Sequence, residues 1–208
     1  MLLTKMSIRK NKQPRIRRTP EESRANILAS AERLLTEQGP QTLRLADVAK
    51  EAGVANATVL HHFGTIDGVH TALMERMIAE LVEKVMAIEL TEDTEVSRAQ
   101  ALTTLFEAFE QKQASKLAAW LELTHQAGRL TNVRQVVRDV TRTKFHHQNV
   151  PEDVVEDVML VCITLALGVG LFGQTLSEML GKPPSRAKEM ALSVLMLGLR
   201  QLEAERKG

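Results

Sequence analysis

Apolar positions recur along this chain at helical spacing, with clear punctuation between the runs. Ile27, Leu28, Ala31, Leu34 and Leu35 make one stripe, and Arg24, Glu32, Arg33 and Glu37 take the other side. Thr19-Pro20-Glu21-Glu22 opens this helix with a cap, a first-turn proline and a capping-box glutamate, and Gly39-Pro40 closes it. Next, Leu45, Val48 and Ala49 repeat until Ala52-Gly53-Val54 breaks the pattern, and a short helix follows from Asn56 to His62. The spacing predicts a helix, a tight turn and a second helix, with Gly53 where a steep turn needs a left-handed backbone. Val48, Ala49, Val54 and Val59 form the seam between them, which leaves Asn56, Ala57, Thr58, His61 and His62 facing out. Thr65 caps a fourth helix with Asp67 in its first turn, and its stripe Val69, Leu73, Met77, Leu81, Val85 and Ile88 predicts a rod about 30 Å long.

The downstream pattern is a bundle. After a polar connection at 91–95, with Thr94 as a cap, Leu102, Leu105, Phe106 and Phe109 share one face. Leu117, Trp120, Leu121 and Thr124 make the next helix, and Val133, Val136, Val137 and Val140 a third after a turn at Gly128. Pro151-Glu152-Asp153 opens a long helix through Val154, Val155, Val158, Val161 and Leu165, in which Gly168, Gly170 and Gly173 offer small surfaces for a closely approaching helix. Gly181-Lys182-Pro183-Pro184 stops it, and Ser185 caps a last helix striped by Met190, Val194, Leu197 and Leu202. The expected fold is all-α: a basic arm at 1–18, a three-helix head at 19–66 and a helical bundle at 67–208.

Composition sharpens this picture. Of 208 residues 44% are hydrophobic but only 3% aromatic, with no tyrosine, which suits helices packed by Leu, Ala, Val and Met rather than sheets. The net charge of +1 is unevenly placed: residues 1–66 hold 11 Lys/Arg against 6 Asp/Glu, and 67–208 hold 16 against 20. The amino-terminal part is therefore the side that faces nucleic acid. Residues 1–18 carry seven basic residues and no acid. That arm suits DNA phosphates or an adjacent minor groove; a plain solvated tail and a targeting presequence are the competing readings, the latter lacking amphipathic periodicity. A single cysteine, Cys162, excludes an internal disulfide, and its apolar neighbours make it a small buried hydrophobe. No signal-peptide core is visible, and the longest apolar run, 159–172, has 14 residues, short of the 18 or so of a membrane span. The expectation is a soluble cytoplasmic protein with no membrane partner.

Through ILASAERLLTEQG, then LADVAKEAGVANATVLHHF, then the helix starting at Thr65, the chain resembles the tetracycline-repressor (TetR) family of transcriptional regulators from Arg24 to about Met77. Beyond that only the helical architecture is similar. The resemblance implies a homodimer that binds a pseudo-palindromic operator in double-stranded DNA and is released by a small-molecule effector of unknown identity. It places Arg44, Ala46, Asn56, Ala57, Thr58, His61, His62 and Thr65 at the DNA, and it assigns dimerisation to two carboxyl-terminal helices, about 152–180 and 185–205. Asn56 suits adenine, Ala57 a thymine methyl and Thr58 a phosphate or base. Arg44 stands where the family commonly has a Ser or Thr cap; Leu60 and Ile66 stand where it usually has phosphate-contacting tyrosine and lysine. Losing two such contacts lowers affinity and flattens the salt dependence by about two units of slope. That departure motivates a competing reading, a helical ligand-binding protein on the same fold with weak or no operator binding.

Phe106, Phe109, Trp120 and His125, with Met159 and Cys162, are the candidate lining of a site for a small apolar ligand with one polar anchor; an ordinary packed core is the alternative. Glu122-x-x-His125 matches half of a carboxylate-bridged di-metal site, but no second such pair occurs, so a metal enzyme is disfavoured. Adjacent His61 and His62 point about 100° apart on a helix and do not share an ion easily. No metal, cofactor or enzymatic activity is expected.

Overall fold

The computed structural model describes residues 19–89, 94–130, 133–145 and 151–207; the basic arm and the connection at 90–93 lie outside them. Among the described residues every regular element is helical. Helix α1 (Pro20–Gln38) starts on the expected capping box: Thr19 Oγ1 accepts from the Glu22 amide at 3.2 Å, and Glu22 Oε2 accepts from the Thr19 amide at 2.8 Å. It ends at Gly39 (φ +80°), and a 3-10 turn, Pro40–Thr42, leads to α2 (Leu45–Ala52). Gly53 (φ +66°) turns the chain into α3 (Asn56–Phe63). Thr65 then caps α4 (Ile66–Met86) by accepting from the Gly68 amide at 3.1 Å.

Gly68 has a role that helical periodicity does not reveal. A Cβ there would collide with the Phe63 carbonyl oxygen, so the start of α4 rests directly on the end of α3. This contact sets how the rod leaves the head.

The bundle follows as α5 (Thr94–Glu110), a 3-10 turn (Gln111–Gln113), α6 (Ala114–Leu123), a second 3-10 turn (Ala127–Arg129) and α7 (Val133–Phe145). Then come α8 (Glu152–Gly168), one π-helical turn (Val169–Gly173), α9 (Gln174–Met179) and α10 (Arg186–Lys207). Two buried clusters hold these together. The first joins Leu35, Val48 and Val59 of the head to Leu73 of α4 and to Ala114, Leu117 and Leu121 of α6. A division at 66/67 therefore runs through one packed core. The second gathers Leu102, Phe106, Cys162, Ala166 and Leu195.

The carboxyl-terminal helices add three findings. The glycines of the long helix make room within the chain: a Cβ on Gly170 would collide with Ser115 Oγ and stand 3.0 Å from the Phe109 carbonyl oxygen, and one on Gly173 would stand 3.2 Å from Ala187 Cβ, whereas Gly168 meets open space. On α10 the stripe Met190, Val194, Leu197 and Leu202 is the exposed side; Leu195 is buried, with Ala191, Leu192, Met196 and Leu199 half-buried. A helix apolar on two faces does not disclose from its own sequence which face its chain will cover. Finally, α8 and α9 run on through the π turn as one helix, Glu152–Met179, of 28 residues, within which an 18-residue stretch has a mean hydropathy of 2.1, long and apolar enough to cross a membrane. The 14-residue count missed this because isolated polar residues interrupt the run without lowering its mean enough. Its outer side chains, among them Leu160, Phe172, Leu176 and Met179, are exposed.

A Gly68→Ala variant is expected to lose about 1–3 kcal/mol of stability, because the methyl meets backbone rather than a yielding side chain. Urea unfolding followed by circular dichroism measures it; an unchanged midpoint would show that α4 does not depend on this contact.

Candidate nucleic-acid interface and interior cavity

The head is braced from behind by α1. Asn26 Nδ2 donates to the Ala52 carbonyl oxygen at 2.8 Å, closing the end of α2, and Arg33 donates twice to Glu51 Oε1 at 3.1 and 3.0 Å. Arg24 Nη1 donates to the His62 carbonyl oxygen at 3.1 Å while its guanidinium lies 4.5 Å from the centre of the Phe63 ring. Arg24 and Arg33 read as solvent-side residues in sequence; spacing within one helix carries no information on partners in another. The Val54 amide donates to the Ala49 carbonyl oxygen at 2.9 Å around Gly53, which fixes the angle between α2 and α3.

What this brace presents is a short helix with small polar side chains outward. Asn56, Ala57 and His61 are exposed; Thr58 and His62 are half-buried, the His62 ring lying against Phe63. Arg44 and Ala46 are exposed at the start of α2, where Arg44 occupies the cap position without a side-chain cap bond. Thr65 is exposed at the start of α4, with its hydroxyl engaged in capping. Leu60 is 46% exposed, an aliphatic side chain on the outer surface of α3, while Ile66 turns inward onto the head core.

Behind the head, α4, α5, α6 and α8 form most of the wall of a partly open cavity of about 610 Å³. Its walls are almost wholly apolar: Leu81 and Val85 of α4, Leu102, Leu105 and Phe109 of α5, Leu121 of α6, and Val158, Met159, Cys162 and Ile163 of α8. Only Arg98 and Glu122 bring charge to it, one of each sign, and the Ser115 hydroxyl already donates to the Phe109 carbonyl oxygen at 2.7 Å. Burial pushes the Cys162 thiol up to about 11, so it is a neutral wall group.

Of the six residues expected around a ligand, Phe109, Met159 and Cys162 line this cavity and three do not. Phe106 is fully buried in the second core cluster. Trp120 faces α4, its ring 6.2 Å from that of His70. His125 is exposed, beyond the end of α6, with a left-handed backbone (φ +56°). Because α6 ends at Leu123, the helical spacing that would have paired Glu122 with His125 does not extend to it. Among the described residues no three His, Cys, Asp or Glu side chains gather as metal ligands.

His70, which the sequence reading passed over, is buried at the junction of head and bundle, and neither ring nitrogen has a hydrogen-bond partner. Burial lowers its pKa below 6.5; the Asp67 carboxylate, 3.9 Å from Nδ1, and the Pro40 carbonyl oppose this only in part and lie outside hydrogen-bonding geometry. Below pH 6.5 the unfolded chain takes up a proton that folded His70 resists, so stability falls as pH drops through and below that value. The slope approaches about 1.4 kcal/mol per pH unit until the lowered folded pKa is reached. A His70→Phe variant should lose that part of the pH dependence; equal slopes for parent and variant between pH 7 and 5, by urea unfolding, would contradict it.

Comparison with known proteins gives the same outline. The sequence profile of bacterial regulatory proteins, tetR family, matches residues 27–73, from the core of α1 into α4. The chain is similar to the HTH-type transcriptional regulator BetI of Rhizobium meliloti, 25% identical over 124 residues, which are 60% of this chain and 61% of that protein. It thus spans about three fifths of the length of that relative. Among solved structures, a transcriptional regulator from Rhodococcus superposes with a TM-score of 0.64 at 21% identity, covering 88% of this chain and 97% of that one. A TetR variant from Acinetobacter baumannii in complex with minocycline gives 0.64 at 18% identity over 85% and 95%. These two share its fold.

Proposed function

We propose, because this chain belongs to the tetR family of bacterial regulatory proteins, that it is a homodimeric, cytoplasmic transcriptional repressor whose operator affinity falls when an apolar molecule occupies the cavity. The observation that carries the reading is the α2–Gly53–α3 unit, braced by Arg24, Asn26 and Arg33, with Asn56, Ala57, Thr58, His61 and His62 along its outer helix. Such a helix fits the major groove, where an asparagine reads adenine and small side chains meet thymine methyls. Arg44 and Thr65 flank it at two helix starts, where phosphate contacts position the head.

Two copies are needed to read a pseudo-palindrome, with reading helices about 34–36 Å apart. The exposed apolar surface of α8, α9 and α10 suits that pairing: Met179 and Leu197 are 76% and 62% exposed in the single chain. A paired face also accounts for the apolar length of Glu152–Met179 without a bilayer.

The cavity lies within the usual range of small-molecule sites, about 300–1,000 Å³. With His125 outside it and the two charges of opposite sign, its effector is largely apolar and carries no net charge. The minocycline complex of the A. baumannii protein supports a small-molecule role for this fold. The exposed Leu60, in place of a phosphate-contacting side chain, favours one second reading: a ligand-binding protein of this fold that holds DNA only weakly.

Selection of duplexes from fragmented genomic DNA at two salt concentrations separates the readings. Recovery of a symmetric site supports the repressor; weak, sequence-independent binding supports the second reading. On a recovered operator, a folded and dimeric Thr58→Ala, His61→Ala variant should bind about tenfold or more weakly, and equal binding would refute the assignment of α3. A Leu197→Glu substitution should convert the dimer to monomer in sedimentation velocity and abolish operator binding; a dimer that survives it would place the interface elsewhere.

A further inference from the structure

The corner between α5 and α6 has one side on the cavity and the other on α1. Phe109 and Ser115, which flank it, line the cavity, and the 3-10 turn between them packs against α1. Lys112, within that turn, places Nζ 2.8 Å from Glu32 Oε1 of α1 and 2.8 Å from Glu80 Oε2 of α4. Arg76, one turn before Glu80, donates from Nε to Glu80 Oε1 at 2.9 Å, and its Nη2 lies 3.5 Å from Glu32 Oε2. Two cations and two carboxylates from three segments thus close a ring that ties the corner, the rod and the head.

The ring is partly withdrawn from water, the Glu32 side chain being 16% and the Lys112 side chain 38% exposed, so it is screened less than an open surface pair. Burial works against the charged forms, but the hydrogen bonds and the opposite charges beside them together outweigh it and hold Glu80 below and Lys112 above their ordinary ranges. The backbone at the corner is strained: Lys112 (φ +52°) and Gln113 (φ +60°) are consecutive left-handed residues without a glycine. Strain of this kind persists only where the surroundings over-determine it. On the cavity side the surroundings are the Ser115–Phe109 bond and the bare backbone of Gly170 against both; on the head side they are the ring.

We infer that this corner couples the cavity to the head, and that Lys112 is the positioning residue that passes a displacement of the Phe109–Ser115 wall to α1. A ligand pressing on that wall moves a segment that is already strained. With Lys112 bound to both Glu32 and Glu80, the corner shifts only by carrying α1 relative to α4 or by opening the ring; either changes how the brace behind α3 is held. The inference rests on the effector reading of the cavity.

The test uses the full-length dimer with N-phenyl-1-naphthylamine, an uncharged apolar probe, and reads probe affinity by fluorescence, amide exchange of α1, and affinity for the selected operator. In the parent, probe binding should speed exchange in α1 and weaken operator binding about tenfold. Lys112→Met should bind the probe within about twofold of the parent yet leave α1 exchange unchanged and operator weakening under about threefold; Lys112→Arg should restore both. Should Lys112→Met fail to fold, Glu32→Gln, which leaves Lys112 paired with Glu80, makes the same comparison. Parent-like transmission in a folded ring variant, or probe binding to the parent with no change in α1, overturns the inference. A change in α1 without any change at the operator upholds the corner and instead overturns the repressor reading. A probe that does not bind the parent overturns the effector reading and this inference with it.

Discussion

Leu117 and Leu121 of α6 fill the same buried core as Leu35, Val59 and Leu73, so the head and the first wall of the cavity share one packed interior. Close-packed interiors transmit displacement because they hold few voids in which a shift can be absorbed. Helix α4 runs through this core, starting against the Phe63 carbonyl at Gly68 and continuing as a cavity wall at Ile78, Leu81 and Val85. The angle of the reading unit is therefore set by the same contacts that shape the cavity.

Polar groups at this junction lie at its two edges. The buried His70 and the half-buried Trp120 stand at one, between α4 and α6, with their ring nitrogens lacking hydrogen-bond partners. The ring of Glu32, Arg76, Glu80 and Lys112 stands at the other. An unpartnered buried polar atom is costly, whereas a ring of paired charges holds the segments it joins in one arrangement.

On the far side, α8, α9 and α10 leave large apolar side chains in water. A single chain gains nothing from that surface, and the proposed two-fold partner would remove it from solvent. In the proposed dimer, pairing and operator symmetry would answer to the same geometry, since the spacing of the two heads would be set where these helices meet. On that reading an effector that shifted one head would change the match to both half-sites.

Much of this was legible from the residues alone, and the reason is locality. The α1 capping box, the Gly53 turn, the Thr65 cap and the inward stripes of α1 and α4 depend on neighbours three or four positions away, which the sequence states directly. Contacts between distant segments were not stated. Arg24 on the His62 carbonyl, Gly68 beneath Phe63, Gly170 beneath Ser115 and Lys112 between two helices each depend on how the elements are placed in space. For the same reason Phe106, Trp120 and His125, cavity residues by type, lie in a core, against α4 and in solvent. Sequence determined which helices form and the chemistry each carries; tertiary structure decided which faces meet, because helices with more than one apolar face pack in several ways and only the whole chain selects among them.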